Sequence, residues 1–145
     1  MANASQVARY LLALQCEEAG DLVSNLKLQK LLYYCQGMHL ALKDAPLFAD
    51  DVEAWAHGPV VRRVYGEYKE FGGNPIPCPE GEPDDLTEEE RNLVEEVYQE
   101  FGQFSAWKLR EMTHDELPYK EAEATGSKLV NTETMRRFFK AYLTA

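Results

Sequence analysis

The sequence lacks the long apolar run of a membrane-spanning helix, because no stretch approaches the roughly 20 residues that such a helix needs. Its first residues, MANASQVARY, also lack the basic start and the small-residue cleavage site of a signal peptide. Apolar residues instead recur there at helical spacing. We therefore expect a soluble, cytoplasmic protein that does not engage a membrane.

Cysteine is scarce, and the three cysteines, Cys16, Cys35 and Cys78, lie far apart. An odd number of widely spaced cysteines is not typical of a disulfide framework. The sequence therefore predicts reduced thiols, in agreement with a cytoplasmic location.

Motifs for phosphate, cofactor and metal binding are absent. The sequence contains no Gly-x-x-x-x-Gly-Lys-Ser/Thr, no Gly-x-Gly-x-x-Gly and no Gly-x-Ser-x-Gly. Zinc ligands usually come in closely spaced pairs, and only Cys35 and His39 are that close. A buried cysteine beside a hydrogen-bonded histidine is commoner in helical cores than a metal pair. We expect no metal and no cofactor.

Basic residues are outnumbered, which gives a formal net charge of −10. Residues 80–100 alone carry ten acidic side chains against one basic side chain, Arg91. Such a field repels nucleic-acid phosphate and favours a basic partner. A solvated helix face beside a loop explains the same charge run without any partner. On either interpretation we expect no direct contact with nucleic acid.

Helix start and stop signals recur along the chain and predict six or seven helices. Thr87 with Glu90 forms a capping box, and Ser105 can cap the helix that follows it. Pro118 can start a short helix that ends before Gly126. A length of 145 residues suits one hydrophobic core, so we expect a single, mainly α domain over residues 1–145. The remaining predicted boundaries are a capping pair at Asn3 and Gln6, a first-helix end near Gly20, and a last cap at Asn131 or Thr132.

The helix predicted after Ser24, through LKLQKLLYYCQGMHLALK, is expected to be the central one. Apolar residues recur on one of its faces at spacings of three and four. This face covers about four turns, which favours a central position for the helix. It comprises Leu28, Leu31, Leu32, Cys35, His39 and Leu42.

The stretch VEAWAHGPVVRRVYGEY, residues 52–68, places Trp55, His57, Gly58 and Pro59 together. Alternation of apolar and polar residues over 52–56 predicts a short extended or β element. Gly58 would let the backbone turn, and Pro59 would occupy the first position of the next helix. Residues 71–85 hold three glycines and four prolines without periodicity, so they are predicted to form a loop.

Two interpretations of this stretch remain open from the residues alone. In one, Trp55 packs against Tyr33 or Tyr34 of the central helix and the stretch is only a structural corner. In the other, the same rigid aromatic corner binds a partner, since such corners are typical of interface hot spots.

Three motifs in order resemble the Panacea-domain family, which includes SocA-like and GepA-like phage-associated proteins. They are KLQKLLYYCQGMHLAL, PLFADDVEAWAHGPVVRRVYGEY and THDELPY, and the resemblance covers roughly residues 5–143. Trp55, Gly58 and Pro59 match the family's Ala-Trp-x-x-Gly-Pro. Tyr119 departs from the pattern, because the family more often has Trp after this proline.

The resemblance implies a mainly helical, non-enzymatic antitoxin that neutralises a toxin protein encoded by the adjacent gene through direct binding. In some relatives the antitoxin also delivers its toxin to a protease. The resemblance implies no cofactor. The partner surface expected from it comprises Trp55, Pro59, Arg62, Tyr65 and, as exposed residues of the central helix, Lys30 and Tyr34. Within the motifs, some residues are expected to have a structural role instead of binding the partner. They are Gly58, Leu28, Leu31, Leu32 and His114.

Two other function classes compete with the antitoxin hypothesis. One is an interaction module of another kind, such as a protease adaptor or a phage regulator without a toxin. The other is an enzyme that uses His114 or His57 as a general base with nearby carboxylates, such as Asp115 and Glu116 beside His114.

Overall fold

The computed structural model describes residues 1–17, 23–81 and 85–144. In these residues the helices dominate and the sheet has two short strands, which confirms the predicted mainly α class. The elements are α1 (Ala4–Glu17), α2 (Asn25–Lys43), β1 (Glu53–Trp55), β2 (Gly58–Val60), α3 (Arg62–Tyr68), a 3-10 turn (Lys69–Phe71), α4 (Glu88–Phe101), α5 (Ala106–His114), α6 (Leu117–Thr125) and α7 (Thr132–Thr144).

Helix α2 is the centre of the fold. It contacts α1, α3, α4, α5, α7 and β2, and most of its residues are buried. The predicted inward residues Leu28, Leu31 and Leu32 have no exposed surface. Leu42 was expected on the same face, but this was wrong, because its side chain is 53% exposed near the C-terminal end of the helix. A helix surrounded on nearly all sides buries polar as well as apolar positions.

The buried polar side chains of α2 hold the loops that cross it. Gln36 donates from Nε2 to Phe48 O (2.9 Å) and accepts at Oε1 from Leu47 N (2.8 Å). Gln29 accepts at Oε1 from Val61 N (2.9 Å). These bonds satisfy groups that burial would otherwise leave unpaired, so the polar residues can occupy a core position.

The predicted helix caps are confirmed where the structure describes them. Ser24 accepts from Lys27 N, Thr87 and Glu90 form a reciprocal capping box, and Ser105 accepts from Lys108 N. Asn131 Oδ1 accepts from Thr134 N (2.9 Å), which makes Asn131 the cap of α7. The predicted end of the first helix near Gly20 lies outside the described residues.

The extended element predicted over 52–56 is confirmed as β1, but the prediction that Pro59 starts a helix was wrong. Gly58–Val60 form β2, which pairs antiparallel with β1 so that Trp55 faces Gly58 and Ala54 faces Pro59. Helix α3 begins only at Arg62. The chain reverses at the turn between the strands and uses residues 58–60 in the ladder. Pro59 is tolerated there because β2 pairs only with β1 in the described part of the chain and is therefore an edge strand.

Segment 127–130 covers the other side of β1. Ala54 N donates to Lys128 O, and Val130 N donates to Val52 O, each at 2.8 Å. The hairpin is therefore fixed to the segment that leads into α7 as well as to α2.

The prediction of three reduced thiols was wrong for two of them. Cys16 at the end of α1 and Cys78 in the predicted loop form a disulfide, while Cys35 is free and buried. The same part of the loop is held by Ile76, which donates from N to Val23 O (2.9 Å) and accepts at O from Gln15 Nε2 (3.0 Å). Because the two cysteines are 62 residues apart, no local sequence pattern indicates that they pair.

Candidate functional site

Trp55, Arg62 and Tyr65 form an aromatic corner where the hairpin meets α3. The rings of Trp55 and Tyr65 pack edge to face with centroids 4.9 Å apart. The guanidinium of Arg62 lies 5.6 Å from the Trp55 ring centroid. The expectation that Trp55 packs against Tyr33 or Tyr34 was wrong, because its ring partner is Tyr65 of α3.

Glu53 fixes the corner in place. Its carboxylate accepts from Trp55 Nε1 at 3.0 Å and from Arg62 Nε and Nη2 at 3.0 and 2.9 Å. The hydrogen bond from Arg62 holds the pKa of Glu53 below its ordinary value. Because one carboxylate orients both side chains, the corner has a defined shape before any partner arrives.

Two residues of the THDELPY segment, Tyr119 and His114, contact the hairpin. Tyr119 donates from its hydroxyl to Trp55 O, and its ring lies 4.5 Å from that of His114. His114 Nδ1 lies 2.7 Å from Arg110 O, and Nε2 lies 3.1 Å from Ala56 O. His114 therefore links α5 to the turn of the hairpin.

Among the described residues, neither His57 nor His114 has a hydrogen bond to a carboxylate, which the enzyme hypothesis requires. Both ring nitrogens of His114 face backbone carbonyls, as described above, and His57 Nδ1 accepts from Arg110 Nε at 3.2 Å. Glu116, the carboxylate that the sequence places near His114, is instead bound by two tyrosine hydroxyls.

Replacing Tyr119 with phenylalanine should lower the free energy of unfolding by about 1 kcal/mol, because the Trp55 carbonyl loses its hydroxyl donor. Urea denaturation measures this change. The matched control is Tyr142→Phe, since the Tyr142 side chain is 41% exposed and water can replace its hydrogen bond. Equal effects of the two substitutions would contradict a special role for the Tyr119 hydroxyl.

Lys30 lies under the hairpin rather than on the surface, so the expectation that it is exposed was wrong. Its side chain has no exposed surface, and Nζ donates to Pro59 O at 3.1 Å. Burial, together with the nearby charge of Arg110, lowers the pKa of Lys30 to about 7. Gly58 has φ +111°, and a Cβ there would lie 2.7 Å from Lys30 Cε, so the turn and the lysine fit only with glycine.

Tyr34 was also expected to be exposed, and this too was wrong, because its side chain is 1% exposed. It stacks on Phe101 at 3.9 Å and donates from its hydroxyl to Glu116 (2.7 Å). Tyr33 donates to the other oxygen of Glu116 at 2.9 Å. Burial raises the pKa of Glu116 to about 7, although the two tyrosine hydrogen bonds oppose this. Glu116 is thus a half-buried carboxyl that joins α2 to the start of α6.

Beside the aromatic corner lies a groove of about 510 Å³, which we call the Trp107 groove. Trp107 of α5 forms part of its wall and is 58% exposed, with the Arg110 guanidinium 4.6 Å from its ring centroid. Trp107 was not predicted as a site residue, although a tryptophan in the first turn after the Ser105 cap was a usable signal. The groove is lined by Asn25, Leu26, Gln29, Trp55, Ala56, His57, Val60, Tyr65, Lys69, Gly72, Gly73 and Trp107.

Within the described part of the chain, His, Cys, Asp and Glu side chains form no group of three or more that could hold a metal ion. Of the helices in residues 1–17, 23–81 and 85–144, none has the length and apolar character needed to cross a membrane.

The sequence profile of the family described as "Antitoxin SocA-like, Panacea domain" matches residues 28–120. The chain belongs to this family. The Panacea match begins in α2 and ends in α6, so it includes the hairpin, the aromatic corner, α5 and Glu116. The resemblance to a SocA-like Panacea-domain family is therefore confirmed over residues 28–120.

A curated relative is similar over a shorter region. Antitoxin SocA of Caulobacter vibrioides (strain NA1000 / CB15N) is 51% identical over 43 residues, which are 30% of this chain and 23% of that protein. The match thus spans less than a quarter of the relative's length. No solved structure matches the chain. Membership of an antitoxin family favours a non-enzymatic role.

Proposed function

We propose that this chain is a cytoplasmic antitoxin that neutralises a toxin, encoded by the adjacent gene, through direct protein–protein binding. The observation that carries the proposal is the Panacea match over residues 28–120, whose residues build the aromatic corner. The antitoxin name of the Caulobacter relative gives further support.

The aromatic corner is the contact surface in this proposal. Trp, Tyr and Arg are the residue types enriched in interface hot spots, and preorganised side chains lose less entropy on binding. Trp55 and Tyr65 are in ring contact, and Glu53 holds Arg62 against the Trp55 ring. Pro59 was expected on this surface, but it is buried in β2 with its carbonyl bound by Lys30, so in this proposal it supports the corner and does not contact the toxin.

Lys30 and Tyr34 have a different role from the one expected of them. Both are buried, so they support the surface instead of contacting the toxin. Lys30 fixes β2, and Tyr34 fixes Glu116 at the start of the segment that carries Tyr119.

Trp55→Ala tests the proposed surface. We expect affinity for the adjacent gene product to fall by about 2 kcal/mol, roughly 30-fold, which is the effect of removing a hot-spot side chain. Co-purification and titration of the two proteins measure the affinity, and growth of cells expressing both measures neutralisation. The matched control is Leu143→Ala, an exposed apolar side chain on α7 that lies outside the aromatic corner.

The thermal melts of both variants should resemble that of the wild type, because Trp55 is only half-buried. Full protection by a normally melting Trp55→Ala variant would remove the aromatic corner from the toxin interface.

A further inference from the structure

The floor of the Trp107 groove has its polar groups already paired. Asn25 Nδ2 donates to Tyr65 O (3.1 Å), and Asn25 Oδ1 accepts from Gln29 Nε2 (2.9 Å). Gln29 Oε1 in turn accepts from Val61 N (2.9 Å). These polar atoms already hydrogen-bond within the protein, so few of them are free to bond with an occupant of the groove. A strongly polar occupant would therefore lose its hydrogen bonds to water without replacing them.

The walls of the groove are apolar and aromatic. Leu26, Val60 and the rings of Trp55, Tyr65 and Trp107 line it. The exposed indole of Trp107 leaves a large apolar surface in contact with water, and covering it is favourable at about 25 cal/mol per Å². The occupant that fits these walls therefore carries large apolar side chains.

The charged groups at the groove are positive. Lys69 lines it, and Arg110 lies over the Trp107 ring with its Nε donating to His57 Nδ1. None of the described lining residues is acidic, although the chain has a net charge of −10. This local reversal of sign favours an occupant with carboxylates beside its apolar side chains.

We infer that the Trp107 groove binds a segment of the partner protein in which large apolar residues alternate with acidic ones. The inference rests on the proposed function, because the partner is then the toxin. Trp55 and Tyr65 belong both to the groove and to the aromatic corner, so one toxin can cover both surfaces at once. The segment fills the apolar walls with its large side chains and places its carboxylates near Lys69 and Arg110.

The test uses three fluorescein-labelled synthetic peptides of equal length and fluorescence anisotropy. In the first peptide Leu and Phe alternate with Asp, in the second Lys replaces each Asp, and in the third Ser replaces each Leu and Phe. We expect saturable binding of the first peptide and at least about tenfold weaker binding of the other two. Equal binding of the Asp and Lys peptides would overturn the inference.

Two substitutions test whether the peptide binds in the groove. Trp107→Ala and Lys69→Glu should each weaken binding of the Asp peptide by about tenfold or more. The matched controls, Leu143→Ala and Lys120→Glu, change exposed residues outside the groove lining and should leave binding unchanged. Both groove side chains are exposed, so circular dichroism and thermal melts should match the wild type. Binding that is unaffected by Trp107→Ala and Lys69→Glu would also overturn the inference.

Failure of this inference is distinguishable from failure of the proposed function. A toxin that co-purifies and is neutralised, while the Asp peptide does not bind, rejects the acidic segment and leaves the antitoxin proposal standing. Specific Asp-peptide binding without any toxin complex supports the groove and rejects the antitoxin proposal.

Discussion

Replacing Gly37 with alanine should lower the free energy of unfolding by about 3 kcal/mol, because the new methyl group has no space. A Cβ at this position would lie 2.1 and 2.2 Å from Cε2 and Cδ2 of Phe139. Phe139 is 1% exposed, and its ring is packed edge to face against Tyr33, Tyr34 and Phe138. The ring must leave its site or α7 must move away from α2.

The size of this effect follows from two opposing contributions. Displacing a buried phenylalanine costs about as much as a Phe→Ala substitution, 3–5 kcal/mol, and alanine returns about 1 kcal/mol of helix propensity. Urea denaturation gives the net value. Gly66→Ala in α3 is the matched control, since no atom lies within 4 Å of its Cβ position, and it should be stabilising by about 0.5–1 kcal/mol. Similar stability of the two variants would contradict the close approach of α2 and α7.

The second large effect is a pH dependence of stability that comes from Glu116. In the folded protein the pKa of this carboxyl is raised from 4.5 to about 7, mainly by burial, and the charge of Asp115 adds to the rise. Between these two values the folded state holds a proton that the unfolded state has released. The contribution of Glu116 to stability therefore falls by about 3 kcal/mol in total as pH rises from 4.5 to about 7, and it stays at the lower level above that range.

Glu116→Gln isolates this contribution, because glutamine stays neutral and nearly keeps the shape of the protonated side chain. As pH rises from 4.5 to about 7, the free energy of unfolding of the variant minus that of the wild type should increase by about 3 kcal/mol. Groups that both proteins share cancel in this difference. Urea denaturation at several pH values measures it. A difference between the two proteins that does not change with pH would mean that Glu116 is ionised in the folded state throughout this range.

Local signals in the sequence predicted most of the helices. Ser24, Ser105 and the Thr87–Glu90 box act within one turn of the chain, so their effect is readable without knowing the tertiary structure. The spacing of apolar residues also identified α2 as the central helix.

The second strand of the hairpin, β2, was missed because its partner contacts are not local. Gly58-Pro59 favours a helix start on local grounds, yet pairing with β1 and the contacts of Lys30 and Gln29 place it in a strand. The disulfide between Cys16 and Cys78 escaped prediction for the same reason, since it depends on where the end of α1 meets a distant loop.

The candidate site was predictable only in part. Trp55, Arg62 and Tyr65 do lie together, since they are close in sequence. Lys30 and Tyr34 were assigned to the surface because lysine and tyrosine are usually at least partly exposed, whereas a helix surrounded by other elements buries them. The place of Trp107 beside the aromatic corner depends on how α5 packs, which no local pattern reveals.

The most direct test of the antitoxin proposal is co-expression of this chain with the adjacent gene product, each under its own inducible promoter. Growth and co-elution are measured in the same cultures. We predict that the adjacent product alone arrests growth, and that this chain restores growth while the two proteins elute as one complex. A harmless adjacent product, or restored growth without any complex, would contradict neutralisation by direct binding.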